Sequence, residues 1–192
     1  MNLEGKRIGF GITGAFYSFR KTLEELKNVI KLNAKVIPIM TYNAYNIDTK
    51  YGKAKDFINQ IEHITNEKVL NTIQEAEKIC SKDLLDIMVV APATGNTIAK
   101  LANDIIDGPV TMAVKSHLKK EKPVVIAVST NTGLSSSAEN IGKLLNRKNY
   151  YFVPFLQDNP ITKPRSIVFD HSYLIKTIEQ SLDKEQIQPI IL

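Results

Sequence analysis

Hydroxyl, amide and glycine residues gather at a few short places in this chain, each just after an apolar run. Thr13-Gly14-Ala15-Phe16 follows Lys6 to Ile12, and Thr41 follows Val36 to Met40. Ala93-Thr94-Gly95-Asn96-Thr97 follows Asp86 to Ala91, and Ser129-Thr130-Asn131 follows Pro123 to Val128. Small residues and hydroxyls where a strand turns into a helix suit a phosphate, which needs several donors and a favourable dipole. Gly9-Phe10-Gly11-Ile12-Thr13-Gly14 also matches the dinucleotide pattern G-x-G-x-x-G. Two details turn the reading from dinucleotide to mononucleotide. Gly9 and Gly11 fall inside the apolar run, which leaves Gly14 alone in the turn. The second run ends in Thr41-Tyr42-Asn43, without the Asp or Glu that a ribose would need. The plain alternatives are glycines that let a helix pack close, and Thr94 or Asn96 as a simple helix cap.

An anionic substrate would need cations near these turns. Lys100, Lys115, Lys163 and Arg165 are the candidates, each with a solvated surface charge as its plain alternative. Lys163-Pro164-Arg165 is favoured, because a proline-held loop can lie over a site and Arg and Lys both pair with carboxylates. His117, close to Lys115, is a candidate base, with a helix-surface histidine as the alternative. His63 sits among polar residues and reads as exposed. One cysteine, Cys80, and three isolated histidines offer neither a disulfide nor metal-ligand spacing. A reducing compartment, the cytoplasm, is expected. There is no G-x-S-x-G nucleophile turn.

The elements that must position these residues alternate regularly. Five short apolar runs, the last being Tyr150 to Phe155, are separated by segments with helical spacing, such as Phe19, Leu23, Leu26 and Ile30. Strict alternation predicts a parallel sheet with helices on both faces, a three-layer α/β fold whose ligands bind beyond the strand C-termini. Pro92 is expected to end the third strand, and Gln157 to Pro164 to form a loop. The 192 residues read as one domain, with 186–192 as a tail. The net charge is +5, but the lysines are spread along helix faces, so no nucleic-acid surface is expected. No apolar run approaches the roughly 20 residues of a membrane span.

Three stretches carry a resemblance: Gly11 to Phe16; Ala91-Pro92-Ala93-Thr94-Gly95-Asn96-Thr97 running on to Asn103; and Asp107. They resemble the small FMN-binding flavoproteins, which include phosphopantothenoylcysteine decarboxylase, the lantibiotic cysteine decarboxylases and the flavin prenyltransferases. Further runs, Pro109 to Leu118, Ser129 to Asn131, Tyr151 to Phe155 and Gln157-Asp158, extend the likeness over nearly the whole chain. They look like one branch that oxidises a dihydropyridine dicarboxylate in spore-forming bacteria, beside an NADP-binding partner subunit. The resemblance implies a flavodoxin-like, Rossmann-type fold and a homo-oligomer. It implies FMN phosphate against Thr13, Gly14, Ala15 and Phe16 and the Thr41 hydroxyl. Ala93 to Thr97 would line the flavin ring and ribityl chain, and Ser129, Thr130 and Asn131 would close the other side. The decarboxylases' Pro-Ala-Met-Asn motif finds Val110-Thr111-Met112-Ala113-Val114 here, and the prenyltransferases' Arg-Glu pair finds Thr130-Asn131. Decarboxylase or prenyltransferase-like chemistry, an NADP-binding oxidoreductase and a non-catalytic nucleotide-binding partner are therefore the alternatives.

Overall fold

The computed structural model describes residues 3–192, and of Cys80 and Ser81 the backbone alone. The place expected for the Cys80 side chain on a helical face lies outside the described residues. Strands and helices alternate as the apolar runs require. β1 (Arg7–Ile12), α1 (Phe19–Lys31) and β2 (Lys35–Met40) open the chain. Asn33, at φ 58°, turns the backbone out of α1. The polar stretch beyond β2 holds a short helix, α2 (Tyr42–Asn46), followed by α3 (Ala54–Thr65) and α4 (Ile73–Ser81). β3 (Ile87–Ala93), α5 (Gly95–Ala102), α6 (Pro109–Leu118), β4 (Val124–Thr130), α7 (Ala138–Leu145) and β5 (Tyr150–Phe152) continue the pattern. A hairpin, β6 (Phe155–Asn159) and β7 (Lys163–Phe169), precedes the last helix, α8 (Leu174–Leu182).

β1 to β5 form a parallel sheet in the order β2-β1-β3-β4-β5. Every residue of β3 and β4 is buried, as central strands covered on both faces must be. Their side chains alternate between two cores. Val89, Ala91, Val125 and Ala127 join Phe10, Leu26 and Ile178 on one face. Met88, Val90, Val124, Ile126 and Val128 join Ile98, Val110 and Val114 on the other. Gly9 belongs to this packing. A Cβ there would lie 2.6 Å from Leu85 Cδ1 and 2.8 Å from Met88 Sδ. The first glycine of the G-x-G-x-x-G pattern is thus a close-packing position inside β1.

Three features differ from expectation. β3 continues through Pro92 to Ala93, with a register shift against β4 between Val90 and Ala93. Proline excludes the helical region for the residue before it but not extended backbone, and a bulge absorbs its missing N–H. The run Tyr150 to Phe155 is split between two strands, and the expected loop Gln157 to Pro164 is part of the hairpin. β7 pairs antiparallel with the upper end of β4, at Ser129 and Thr130. β6 shows one buried residue and then four exposed ones, so it carries no hydrophobic alternation for a sequence reading to detect. Its ladder to β7 and the Asn159 carboxamide, which accepts from the Ile161 and Thr162 amides, hold it instead.

Residues 186–192 are tied down. The Gln186 side chain accepts from the Phe152 N–H at 2.7 Å and donates to the Phe152 carbonyl at 2.8 Å. Ile187 is buried, and Ile190 and Leu192 bond the backbone of Phe155. This segment lies along the outer side of β5. On the far side of the sheet, Leu70 bonds Pro38 and Met40 of β2 in the same manner. No helix of the described residues is long and apolar enough to cross a membrane.

Candidate functional site

The carboxyl ends of β1 to β4 meet in a cleft, because all four strands run the same way and each turns sharply beyond its last buried residue. The turn after β1 is fastened to the turn after β3. The fully buried Thr13 hydroxyl donates to the Pro92 carbonyl at 2.6 Å and accepts from the Thr94 N–H at 3.0 Å. Thr94 caps α5 by accepting from the Thr97 N–H at 3.3 Å, and Thr41 caps α2 by accepting from the Ala44 N–H at 3.4 Å. These three hydroxyls therefore build the frame. They leave backbone donors pointing inward. The N–H groups of Gly14, Phe16, Tyr42, Asn43 and Asn96 have no acceptor among the described residues.

These donors line one lobe of about 300 Å³, with Thr41, Ile47, Thr94, Thr97, Gly108, Val110 and Thr111. Lys100, the cation lining it among the described residues, is paired with Asp107 at 2.8 Å. A lobe with free amides and no net carboxylate charge suits an anion.

A second lobe of about 320 Å³ shares Gly14, Phe16 and Thr94 with the first. Ala15, Tyr17, Tyr51, Gly95 and the run Ser129 to Thr132 complete it. Ser129 Oγ is 2.6 Å from the Tyr17 hydroxyl and 3.3 Å from Ser18 Oγ. Thr130 and Thr132 hydroxyls lie 3.1 Å apart, and Thr132 reaches Ser137 at 2.8 Å. Asn131 accepts from the buried Ser166 hydroxyl of β7 at 3.3 Å. The antiparallel pairing of β7 with β4 thus brings the hairpin to the edge of this lobe.

Lys163 and Arg165 stand on that hairpin, both exposed. Lys163 Nζ is 2.7 Å from Asp158 and 6.0 Å from the Tyr17 ring centroid. The Asp158 hydrogen bond and charge hold the Lys163 pKa above its usual value. The Arg165 carbonyl accepts from the Leu134 N–H, while its guanidinium has no partner among the described residues.

The structure does not bring His117 to the cleft. The ring lies at the opposite ends of the strands, 2% exposed, with Nε2 3.1 Å from the carbonyl of Pro123, which precedes β4. Burial first, and then Lys122, pushes its pKa down to about 4, so it is a neutral donor to that carbonyl. The expectation of a helix-surface histidine is corrected too. Val110, Ala113, Val114 and His117 share the i, i+3, i+4, i+7 stripe, and that stripe is buried. Lys115 lines a separate hollow with Leu118, Lys119 and Tyr150. His63 is exposed on α3, as expected.

The residues that sequence reasoning passed over are Tyr17, Tyr42, Asn43, Ile47, Tyr51 and Thr132. Tyr42 and Asn43 directly follow the Thr41 strand end, which was a usable signal. Tyr51 sits in a stretch without period.

The strand order with a donor-lined cleft at the strand ends defines a flavodoxin-like α/β protein. A family profile described as Flavoprotein matches residues 1–179. The dipicolinate synthase B subunit of Bacillus subtilis (strain 168) is 38% identical over 191 residues, 100% of this chain and 96% of that protein. The crystal structure of the dipicolinate synthase B subunit from Bacillus halodurans C is 42% identical with a TM-score of 0.91, covering 100% of this chain and 98% of that one. The structure of the FMN-dependent cysteine decarboxylase SpaF has a TM-score of 0.67 at 19% identity, covers 95% of this chain and 98% of that one, and shares the fold. This chain belongs to the Flavoprotein family.

Proposed function

We propose that this chain is the B subunit of a dipicolinate synthase. It would hold FMN and take part in oxidising dihydrodipicolinate to pyridine-2,6-dicarboxylate beside that enzyme's NADP-binding A subunit. The observation that carries this reading is the end-to-end likeness to two proteins of that name. Assembly of several copies and a cytoplasmic setting in a spore-forming cell belong to the same reading.

The cleft fits a flavin. It offers unengaged amides for a phosphate and a second, hydroxyl-lined lobe for a ring, within the range of roughly 300–1,000 Å³ common for ligand sites. The N–H groups of Gly14, Phe16, Tyr42 and Asn43 would take the phosphate, with Thr13, Ala15 and Thr41 shaping the turns behind them. Ala93 to Thr97 would run along the ribityl chain, and Ser129, Thr130 and Asn131 would border the ring. Bound FMN supplies an acceptor for the two electrons that aromatisation of the dihydropyridine releases. The chain's own task is then to orient a dianion. Lys163 and Arg165 on the hairpin would pair with its two carboxylates.

A visible spectrum before and after FMN addition and dialysis tests the first half. Dihydrodipicolinate turnover with and without the NADP-binding partner tests the second. Retained flavin bands and turnover support the reading, and failure to retain FMN under either condition overturns it. A second reading, a flavin-holding subunit without chemistry of its own, has one observation in its favour. Among the described residues, neither lobe is lined by a histidine or an unpaired carboxylate.

A further inference from the structure

Two aromatic rings flank the second lobe, and both are held from behind while staying exposed in front. Tyr17 is 40% exposed although its hydroxyl is anchored 2.6 Å from Ser129 Oγ. Tyr51 is 43% exposed, yet its backbone is heavily constrained. Thr49 and Gly52 exchange both backbone hydrogen bonds, at 3.0 and 3.1 Å, and the Thr49 hydroxyl accepts from the Tyr51 N–H at 3.2 Å. Gly52 has φ 151°, and a Cβ there would lie 2.8 Å from the Phe57 ring, so only glycine serves. A ring left half in water on so tightly fixed a backbone is positioned for something to cover it. Cations stand close by. Lys163 Nζ is 6.0 Å from the Tyr17 centroid, and Lys50 Nζ is 5.3 Å from that of Tyr51. The Lys163 charge is favoured chiefly by Asp158 and, to a smaller extent, by both phenols, which places the three side chains within electrostatic reach of one another.

We propose that Tyr17 and Tyr51 are the walls of a slot that grips the flat ring of an anionic heteroaromatic ligand, with Lys163 at its mouth taking a carboxylate. The proposal deepens the dicarboxylate reading above and rests on it. The slot selects for planarity, and the lysine selects for charge. A saturated ring of the same substituents puckers and loses the stacking contact while keeping the ion pair. The discrimination therefore resides in Tyr51 and Tyr17, and the charge requirement in Lys163.

The test uses FMN-loaded protein and isothermal titration with two probes, planar pyridine-2,6-dicarboxylate and puckered piperidine-2,6-dicarboxylate. Wild type should bind the planar diacid more tightly. Tyr51→Leu should weaken the planar diacid by about fivefold to tenfold and leave the puckered one unchanged, whereas Tyr51→Phe should stay within about twofold of wild type. Lys163→Met should weaken both diacids alike. Equal preference in wild type and Tyr51→Leu would overturn the slot. Loss of the flavin bands in Tyr51→Leu would also overturn it and assign the ring to the cofactor. If wild type binds neither diacid, the dicarboxylate reading itself falls and the slot goes with it.

Discussion

At the scale of single residues, hydroxyls in this cleft are mostly framework. Thr13 shows it best, since one buried oxygen joins the ends of β1 and β3. Replacing it by valine keeps the shape and removes both bonds, leaving the Pro92 carbonyl and the Thr94 amide unpaired. Thr13→Val should cost about 1–3 kcal/mol in urea unfolding, and Thr13→Ser should recover most of it. The sequence marked Thr13 correctly as special but could not distinguish a tie from a phosphate ligand, because a threonine has the same donor in either role. His117 carries a second prediction. Its folded pKa, about 4, lies below the ordinary 6.5, so the unfolded chain takes up the proton first as pH falls. Stability tied to this ring is therefore present above about pH 6.5 and is lost on acidification toward pH 4. Between pH 7 and pH 5 the loss should be about 2 kcal/mol. Urea melts of wild type against His117→Phe at both pH values would show it, with the variant lacking most of that difference.

At the scale of elements, legibility follows burial. β3 and β4 are apolar along their whole length because helices cover both faces, and nothing else in the chain looks like them. α1 declares itself through Phe19, Leu23 and Leu26, all buried on one stripe. The hairpin did not, since Leu156 to Asn159 face water and only pairing with β7 makes them a strand. The final segment was equally silent. Gln186 acts through a side-chain amide that imitates a neighbouring strand, a role that no periodicity encodes. Gln186→Ala should lower the melting temperature by about 2–5 °C, the equivalent of one to two lost hydrogen bonds. Hydrogen exchange at the Phe152 amide should quicken in the same variant, while amides of β3 stay protected. Unchanged exchange at Phe152 would show that this bond is not what holds the chain end in place.

At the scale of the whole molecule, the placement of the cleft was the most readable fact of all. Topology alone says that ligands sit beyond the carboxyl ends of parallel strands, and the turns at Gly14, Thr94 and Ser129 are where the lobes lie. What topology cannot convey is the contribution of α2 and the Tyr51 turn, which the polar stretch after β2 folds across the opening. Any ligand seated there binds the folded state alone and must stabilise it. At a hundred times its dissociation constant, FMN should add about 2.7 kcal/mol and raise the melting temperature by several degrees, whereas NADP at the same concentration should not. The Gln186 segment and Leu70 have one more consequence. Each fills the outermost hydrogen-bonding positions of a parallel strand, at Phe152 on one side and at Pro38 and Met40 on the other. Copies of this chain are thereby denied the usual template for runaway fibre growth, and any assembly they form must be built through helices and side chains, a mode that closes and stops.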